Sequence, residues 1–227
     1  QPWGESRLVR NHYNDLKVYL KEADGNRKVN IVFRLFDDGL GYRYEFPAQD
    51  GLDSLVILKE QTEFKMPHVH KAWWITASDP YYEQLAKLSP ISQLDTVRTP
   101  LTMETADGKY LSIHEANLTD FPKMNLTVKD SATLCASLVP WSNGVAAYVK
   151  TPFATPWRTV VIADKPGDLV TSHIMLNLNE PCKIKDTSWI KPGKYIGIWW
   201  EMHLGKGTWY YGPKHAATTA HTKEYID

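Results

Sequence analysis

The sequence predicts a mainly β protein: an antiparallel sandwich followed, near its end, by one strand, a loop and the start of a helix. Three observations carry that expectation. Apolar and polar residues alternate along most of the chain, which is the period of a half-buried strand. Turn chemistry punctuates these runs at regular intervals, as at Asp24-Gly25, Asp37-Asp38-Gly39 and Asp107-Gly108. The pattern then changes after Trp189, where Lys191-Pro192-Gly193 breaks the chain and a continuous apolar run begins.

In chain order, residues 16–20 alternate Leu16, Val18 and Leu20 with Lys17 and Tyr19. Residues 29–35 alternate Val29, Ile31, Phe33 and Leu35 with Asn30, Val32 and Arg34, and residues 42–46 alternate Tyr42, Tyr44 and Phe46 with Arg43 and Glu45. Residues 55–58 read as a more fully buried strand. Residues 101–105 and 109–115 flank Asp107-Gly108, the best hairpin signal in the chain, because Asp-Gly readily takes the positive φ of a tight turn. Further strands are expected at 126–128, 133–139, 145–149, 159–163 and 173–177, a spacing that argues for a sandwich. Gly and Pro are scattered through the turns as punctuation, with no linker or repeat among them.

The run Tyr195-Ile196-Gly197-Ile198-Trp199-Trp200 reads as a strand buried on both faces. Residues 205–213 form a Gly-rich loop, and Thr218 or Thr219 can cap a helix that includes Lys223, Tyr225 and Ile226. One βα unit cannot bury its own strand. The expectation is a sandwich domain over residues 1–189 and the beginning of a second domain over 190–227, with the chain stopping inside it.

Composition narrows the function. The 227 residues carry 26 Lys+Arg against 26 Asp+Glu, a formal net charge of zero. A nucleic-acid protein normally shows a basic footprint, so that class is excluded as a first reading. No stretch reaches the roughly 18 apolar residues of a membrane helix. At 43% hydrophobic and 12% aromatic residues the chain is too apolar for a solvated coil. The aromatics are skewed, with 9 Trp and 12 Tyr against 6 Phe; Trp and Tyr suit wet binding surfaces as well as sheet cores. Cys135 and Cys182 lie in no zinc pattern and read as two buried free thiols. The chain begins at Gln1 without a charged-then-apolar leader, so either a removed signal peptide or a fragment is expected.

Few residues advertise chemistry on their own. Glu83, in Asp79-Pro80-Tyr81-Tyr82-Glu83, lies on a loop-like stretch and could supply oxygen to calcium, although a solvated surface carboxylate is the blander reading. His114 and Glu115 are neighbours on a strand, so they face opposite sides, and Glu115 reads as an edge or rim carboxylate. His68 and His70 could share a face and bind a transition metal, but no third ligand lies at predictable spacing. If residues 195–200 are a barrel strand, Trp199, Trp200, Glu201 and His203 lie at its functional end. A flat indole there could stack on a sugar ring, with packing between barrel and helices as the alternative. Asn117-Leu118-Thr119 and Asn125-Leu126-Thr127 match the N-glycosylation pattern, which so short a motif also meets by chance.

A series of ordered motifs resembles one family. They are Arg10-Asn11-His12-Tyr13-Asn14, the stretch from Phe33 to Tyr44, Tyr110-Leu111-Ser112-Ile113-His114-Glu115-Ala116, Thr155-Pro156-Trp157-Arg158-Thr159 and Leu176-Asn177-Leu178-Asn179-Glu180-Pro181. The strongest is Lys191-Pro192-Gly193-Lys194-Tyr195-Ile196-Gly197-Ile198-Trp199-Trp200, followed by Gly212-Pro213-Lys214-His215 and Lys223-Glu224-Tyr225-Ile226-Asp227. Together they resemble the amino-terminal part of glycoside hydrolase family 97. The resemblance implies an antiparallel β-super-sandwich followed by the first βα unit of a (β/α)8 barrel. It implies a calcium-dependent exo-acting α-glycosidase, periplasmic or secreted, acting on oligosaccharides with terminal α-glucosides or α-galactosides. The catalytic carboxylate pair would lie on later barrel strands, beyond Asp227. Tyr82-Glu83 best matches a calcium ligand that the family draws from its sandwich, although the segment from Glu83 to Ser89 is shorter than in the family; Glu115 is the fallback. Trp199 matches an aromatic that contacts sugar. The barrel would be the sandwich's intramolecular partner. The rival from another class is a non-catalytic carbohydrate-binding or structural β-sandwich module.

Overall fold

The computed structural model describes Ser6 and residues 8–79, 81, 83–195 and 197–226. Tyr82, Ile196 and Asp227, which take part in the motifs above, lie outside the described residues. The strands, in chain order, are β1 (Asn14–Lys21), β2 (Lys28–Phe36), β3 (Gly39–Phe46), β4 (Ser54–Ile57), β5 (Glu63–Lys65), β6 (Lys71–Trp74), β7 (Lys87–Pro90), β8 (Val97–Arg98), β9 (Leu101–Glu104), β10 (Tyr110–Ala116), β11 (Met124–Asp130), β12 (Thr133–Leu138), β13 (Ala147–Lys150), β14 (Phe153–Ala154) and β15 (Trp157–Ala163). The helices are short: α1 (Pro166–Thr171), α2 (Ile174–Leu178), α3 (Trp199–His203) and α4 (Thr219–Glu224). The chain divides into two compact units, one of them Val9–Pro181, the other built mainly of Cys182–Asp227.

The first unit is a sandwich of antiparallel sheets, as expected. Its large sheet runs β1-β2-β3-β15-β10-β9-β6-β7, with β14 pairing β3; the second runs β5-β12-β11-β8, and β13 pairs β4 in a small third sheet. Leu101, Met103 and Ile113 from the large sheet meet Met124, Leu126 and Leu134 from the second in one apolar core, all six essentially inaccessible to water. The other face of the large sheet is covered by α2, whose Ile174 and Leu178 pack with Val32, Ala116, Trp157 and Val161. Because side chains alternate along a strand, β15 serves both layers.

Gly108 and Gly39 show what the turns ask of glycine. Gly108 sits at φ +81 in the β9–β10 hairpin, where Thr105 N–H donates to Lys109 C=O at 2.8 Å. Gly39, at φ +150 after Asp37-Asp38, brings its backbone so close to β15 that a Cβ would stand 2.1 Å from the Val160 carbonyl oxygen.

Several local expectations are corrected. Residues 173–177 form no strand: β15 already has β3 and β10 on its two edges, and the segment crosses the face of that sheet, where only a helix satisfies its own backbone. Residues 54–57 are a strand, but at the edge, with Val56 and Leu58 more than half exposed. On β1 and β2 the expected apolar face, Leu16, Val18 and Leu20 opposite Phe33, Ile31 and Val29, is not the buried one. The buried positions of β2 are Asn30 and Val32, because the helix layer covers that side. The described residues of the run, 195 and 197–200, are not a buried strand: Tyr195 is fully exposed, and Trp199 and Trp200 open α3. A strand exists only where a neighbour takes its hydrogen bonds. Among the described residues none pairs here, so the backbone closes on itself, Leu204 N–H donating to Trp200 C=O at 3.1 Å. The helix at the end is found with Thr218 as its cap, its hydroxyl accepting from the His221 N–H, but it stops at Glu224, short of the expected Tyr225 and Ile226. No helix among the described residues is long and apolar enough to cross a membrane.

Candidate functional site

Two of the motifs quoted above meet at the centre of the large sheet. β10 and β15 are antiparallel neighbours, and their register sets Glu115 directly opposite Arg158, with Ala116 opposite Trp157. Alternation then sorts them: Trp157 and Ala116 face the helix layer, whereas Arg158 and Glu115 point the other way. Trp157 is buried, and the Arg34 and Arg43 guanidinium groups lie 4.8 and 4.5 Å from its ring.

Arg158 is held by two carboxylates. Its Nη1 donates to Glu115 Oε2 at 2.8 Å and its Nε to Glu60 Oε1 at 2.8 Å, while Nη2 closes the fork on Glu60 Oε2. All three side chains are more than nine-tenths buried. The Met124 N–H also donates to the Glu115 carboxylate, at 3.1 and 3.2 Å from its two oxygens. Glu115 is therefore no rim carboxylate, since β10 is a central strand and not an edge. Burial pushes its carboxyl above the ordinary value, against the pull of the Met124 N–H and of Arg158. Burial pulls Arg158 down, but the hydrogen bond and charge of Glu60, with the charge of Glu115, leave it above its usual value. Burial likewise lowers the Lys123 ammonium, with Arg98 adding to the effect and Glu115 opposing it. The Arg158 guanidinium lies 5.9 Å from the Phe121 ring, so the clamp underlies the loop between β10 and β11.

Glu83 is exposed in the loop before β7 and accepts no hydrogen bond from a described residue. Asp79 beside it accepts from the Tyr81 N–H at 2.9 Å. Among the described residues no three His, Cys, Asp or Glu side chains are grouped to hold a metal. That includes His68 and His70: the stretch between β5 and β6 is not a strand, and His70 is buried while His68 is exposed. Burial, and then the charge of His68, lower the His70 imidazole. Cys135 is half-buried and Cys182 exposed, both as free thiols, so only the first approaches the buried state expected of the pair. Asn125 is buried, out of reach of glycosylation.

In the second unit, Trp199, Trp200, Glu201 and His203 share one helical turn. Trp199 is half exposed and stands edge-on to His203, with ring centroids 4.6 Å apart. The Glu201 carboxylate accepts from the Tyr225 hydroxyl and pairs with His221 Nε2 at 2.9 Å, tying α3 to α4. Those hydrogen bonds hold Glu201 below the usual carboxylate range and His221 above the usual imidazole value. Sequence reading missed both the Arg158 clamp and this Glu201–His221–Tyr225 cluster, because each joins residues far apart in the chain.

A protein-family model described as Glycosyl-hydrolase 97 N-terminal matches residues 1–181. A retaining alpha-galactosidase of Bacteroides thetaiotaomicron is 25% identical over 88% of this chain and 34% of its own length. A probable retaining alpha-galactosidase of Streptomyces bingchenggensis is 28% identical over 78% of this chain and 27% of its own. Among solved structures, a glycoside hydrolase family 97 enzyme of Pseudoalteromonas sp. strain K8, in complex with acarbose, superposes at a TM-score of 0.93 with 45% identity, over all of this chain and 35% of that one. The chain thus spans about a third of the length of these relatives.

The clamp generates a prediction. Arg158→Met leaves two buried carboxylates without their cation and should cost about 3–5 kcal/mol near neutral pH. Because Glu115 is already raised in the folded state, the folded chain keeps its proton to higher pH than the unfolded chain does, and stability falls as pH rises through that interval. Without Arg158 the interval widens. Denaturant unfolding should therefore show a loss that shrinks as the buffer is taken down toward about pH 5. An equal loss at both pH values would mean that the carboxylates are not what destabilises the variant.

Proposed function

Because the chain belongs to glycoside hydrolase family 97, we propose that it is part of an exo-acting, calcium-dependent α-glycosidase that hydrolyses terminal α-glucosides or α-galactosides of oligosaccharides. In this reading residues 1–189 are the sandwich and residues 190–227 begin the catalytic (β/α)8 barrel. The observation that supports it most is the likeness along the whole chain to the Pseudoalteromonas enzyme. A further structure of an enzyme from that strain is in complex with panose, an α-glucoside, and this favours α-glucosides. The two α-galactosidase relatives, less alike, favour the second sugar. The same reading puts the protein in the periplasm or outside the cell.

In such enzymes two carboxyl groups flank the scissile bond: one protonates the leaving oxygen, and the other activates water or attacks the anomeric carbon. Glu60 and Glu115 do not fit those roles, since Arg158 and the Met124 N–H engage them in the interior. The pair belongs to barrel strands beyond Asp227. What this chain offers in that reading is two side chains. Trp199, exposed beside His203, offers an indole face to a sugar ring. Glu83 offers calcium an exposed carboxylate that no described residue engages; calcium takes six to eight oxygens and would hold carboxylates and the substrate end in place. The fit is partial, because one carboxylate cannot hold the ion and the rest of its ligands must come from the barrel. Glu115 fits less well, its oxygens being already taken.

Three outcomes are expected. The 227-residue chain alone should give no turnover of nitrophenyl α-glucoside or α-galactoside with calcium present, whereas the enzyme with its complete barrel should hydrolyse one of them. Activity of the short chain above a buffer blank, free of host enzyme, or inactivity of the complete enzyme on both substrates, would overturn the reading. In the complete enzyme, Glu83→Gln should raise the calcium concentration needed for activity, with activity recovering as calcium is added. Superimposable calcium titrations would return Glu83 to the role of a solvated surface residue. Trp199→Ala should raise KM by an amount matching about 0.5–1.5 kcal/mol of lost stacking. An unchanged KM with a large fall in Tm would assign Trp199 to packing instead.

A further inference from the structure

The sandwich unit carries a cleft of about 750 Å³ that none of the roles above uses. One wall is the loop between β10 and β11, with Asp120, Phe121 and Lys123; the other is the segment leading from β12 into β13, with Trp141 and Tyr148. Trp141 is 68% exposed and Tyr148 63% exposed. Neither ring stacks on another aromatic ring among the described residues. Aromatic side chains usually bury most of their surface, so two of them open over one cleft call for a ligand.

The backbone that carries Trp141 is held in a turn, and the Tyr148 ring is pinned at its hydroxyl. Trp141 N–H donates to Val145 C=O at 2.8 Å and Gly144 N–H returns to Trp141 C=O at 2.9 Å, closing a turn. Asn143 locks it: its Oδ1 accepts from Val145 N–H at 3.1 Å, and its Nδ2 donates to the Tyr148 hydroxyl at 3.0 Å. On the opposite wall Phe121 stacks on Phe153 at 5.7 Å, with the Arg158 clamp behind it. A ring pinned in this way, as Tyr148 is, loses little entropy when a ligand arrives. Ala146 and Ala147 also line the cleft, small residues that leave room for a ring. Asp120 and Lys123 bring one charge of each sign, so the cleft selects no net charge and offers both a donor and acceptors. Flat apolar faces beside neutralising polar groups match a neutral sugar, apolar on its ring faces and hydroxylated at its rim.

We propose that this cleft is a non-catalytic binding site for neutral α-linked oligosaccharides, with Trp141 and Tyr148 as its platforms. Its volume lies within the range of about 300–1,000 Å³ that accepts a drug-sized ligand, enough for about two or three sugar rings. The site rests on the α-glycosidase reading only for the choice of sugar; binding there needs no reacting group.

The test is calorimetric titration of the 227-residue chain with maltoheptaose and, separately, with verbascose. Saturable binding of either is expected, weakened at least tenfold in Trp141→Ala and in Tyr148→Ala. Tyr19→Ala, equally exposed but on β1 and away from the cleft, should bind as the parent does. Circular dichroism and Tm of the Trp141 variant should match the parent, since that indole is exposed. No binding of either sugar, or undiminished binding by Trp141→Ala, overturns the proposal. Binding that survives when the complete enzyme proves unable to hydrolyse α-glycosides would support the site and sink the enzymatic reading. Hydrolysis without binding here would do the reverse.

Discussion

The fork of Arg158 between Glu115 and Glu60 is the interaction on which the sandwich unit turns. A guanidinium with no exposure to water is tolerable only where carboxylates take its donors in good geometry. Meeting that demand fixes several things together. It sets the register of β10 against β15, the two central strands of the large sheet. It draws Glu60, from the segment between β4 and β5, into the interior. It also places a carboxylate where the Met124 N–H can donate to it as β11 begins. The two carboxylates outnumber the one cation, and the partly buried Lys123 ammonium lies near enough to feel the Glu115 charge.

Around this clamp the large sheet divides its work between its faces. One face meets the second sheet in a dry apolar core, and the other takes α2 and the doubly flanked Trp157. Trp157 and Arg158 are adjacent in sequence and both essentially without exposure, yet they belong to different layers. This is the physical content of the Thr155-Pro156-Trp157-Arg158-Thr159 motif: its residues serve opposite sides of one strand. Exposed aromatics, by contrast, sit away from the core, among them Trp141 and Tyr148 in the sandwich unit and Trp199, Trp200 and Trp209 in the other. A chain rich in Trp thus splits its indoles between structure and surface.

The sequence by itself determined the fold class and most of the strands. Strands and hairpins are short-range matters, settled by alternation and by turn residues such as Asp107-Gly108, and these are local signals. The family was also legible, because ordered motifs spread along a chain are specific even when each is not. Tertiary structure decided what local pattern cannot encode: which face of β1 and β2 is covered, whether residues 173–177 find a sheet edge or cross a sheet face, and whether residues 195–200 have a strand to pair with. It also decided the fate of Glu115, whose sequence neighbourhood suits a rim and whose cross-strand neighbour is Arg158. The reason is the same in each case. Period and propensity specify what a segment can do with its own backbone, whereas burial and charge pairing depend on residues brought alongside from tens of positions away, 43 in the case of Glu115 and Arg158.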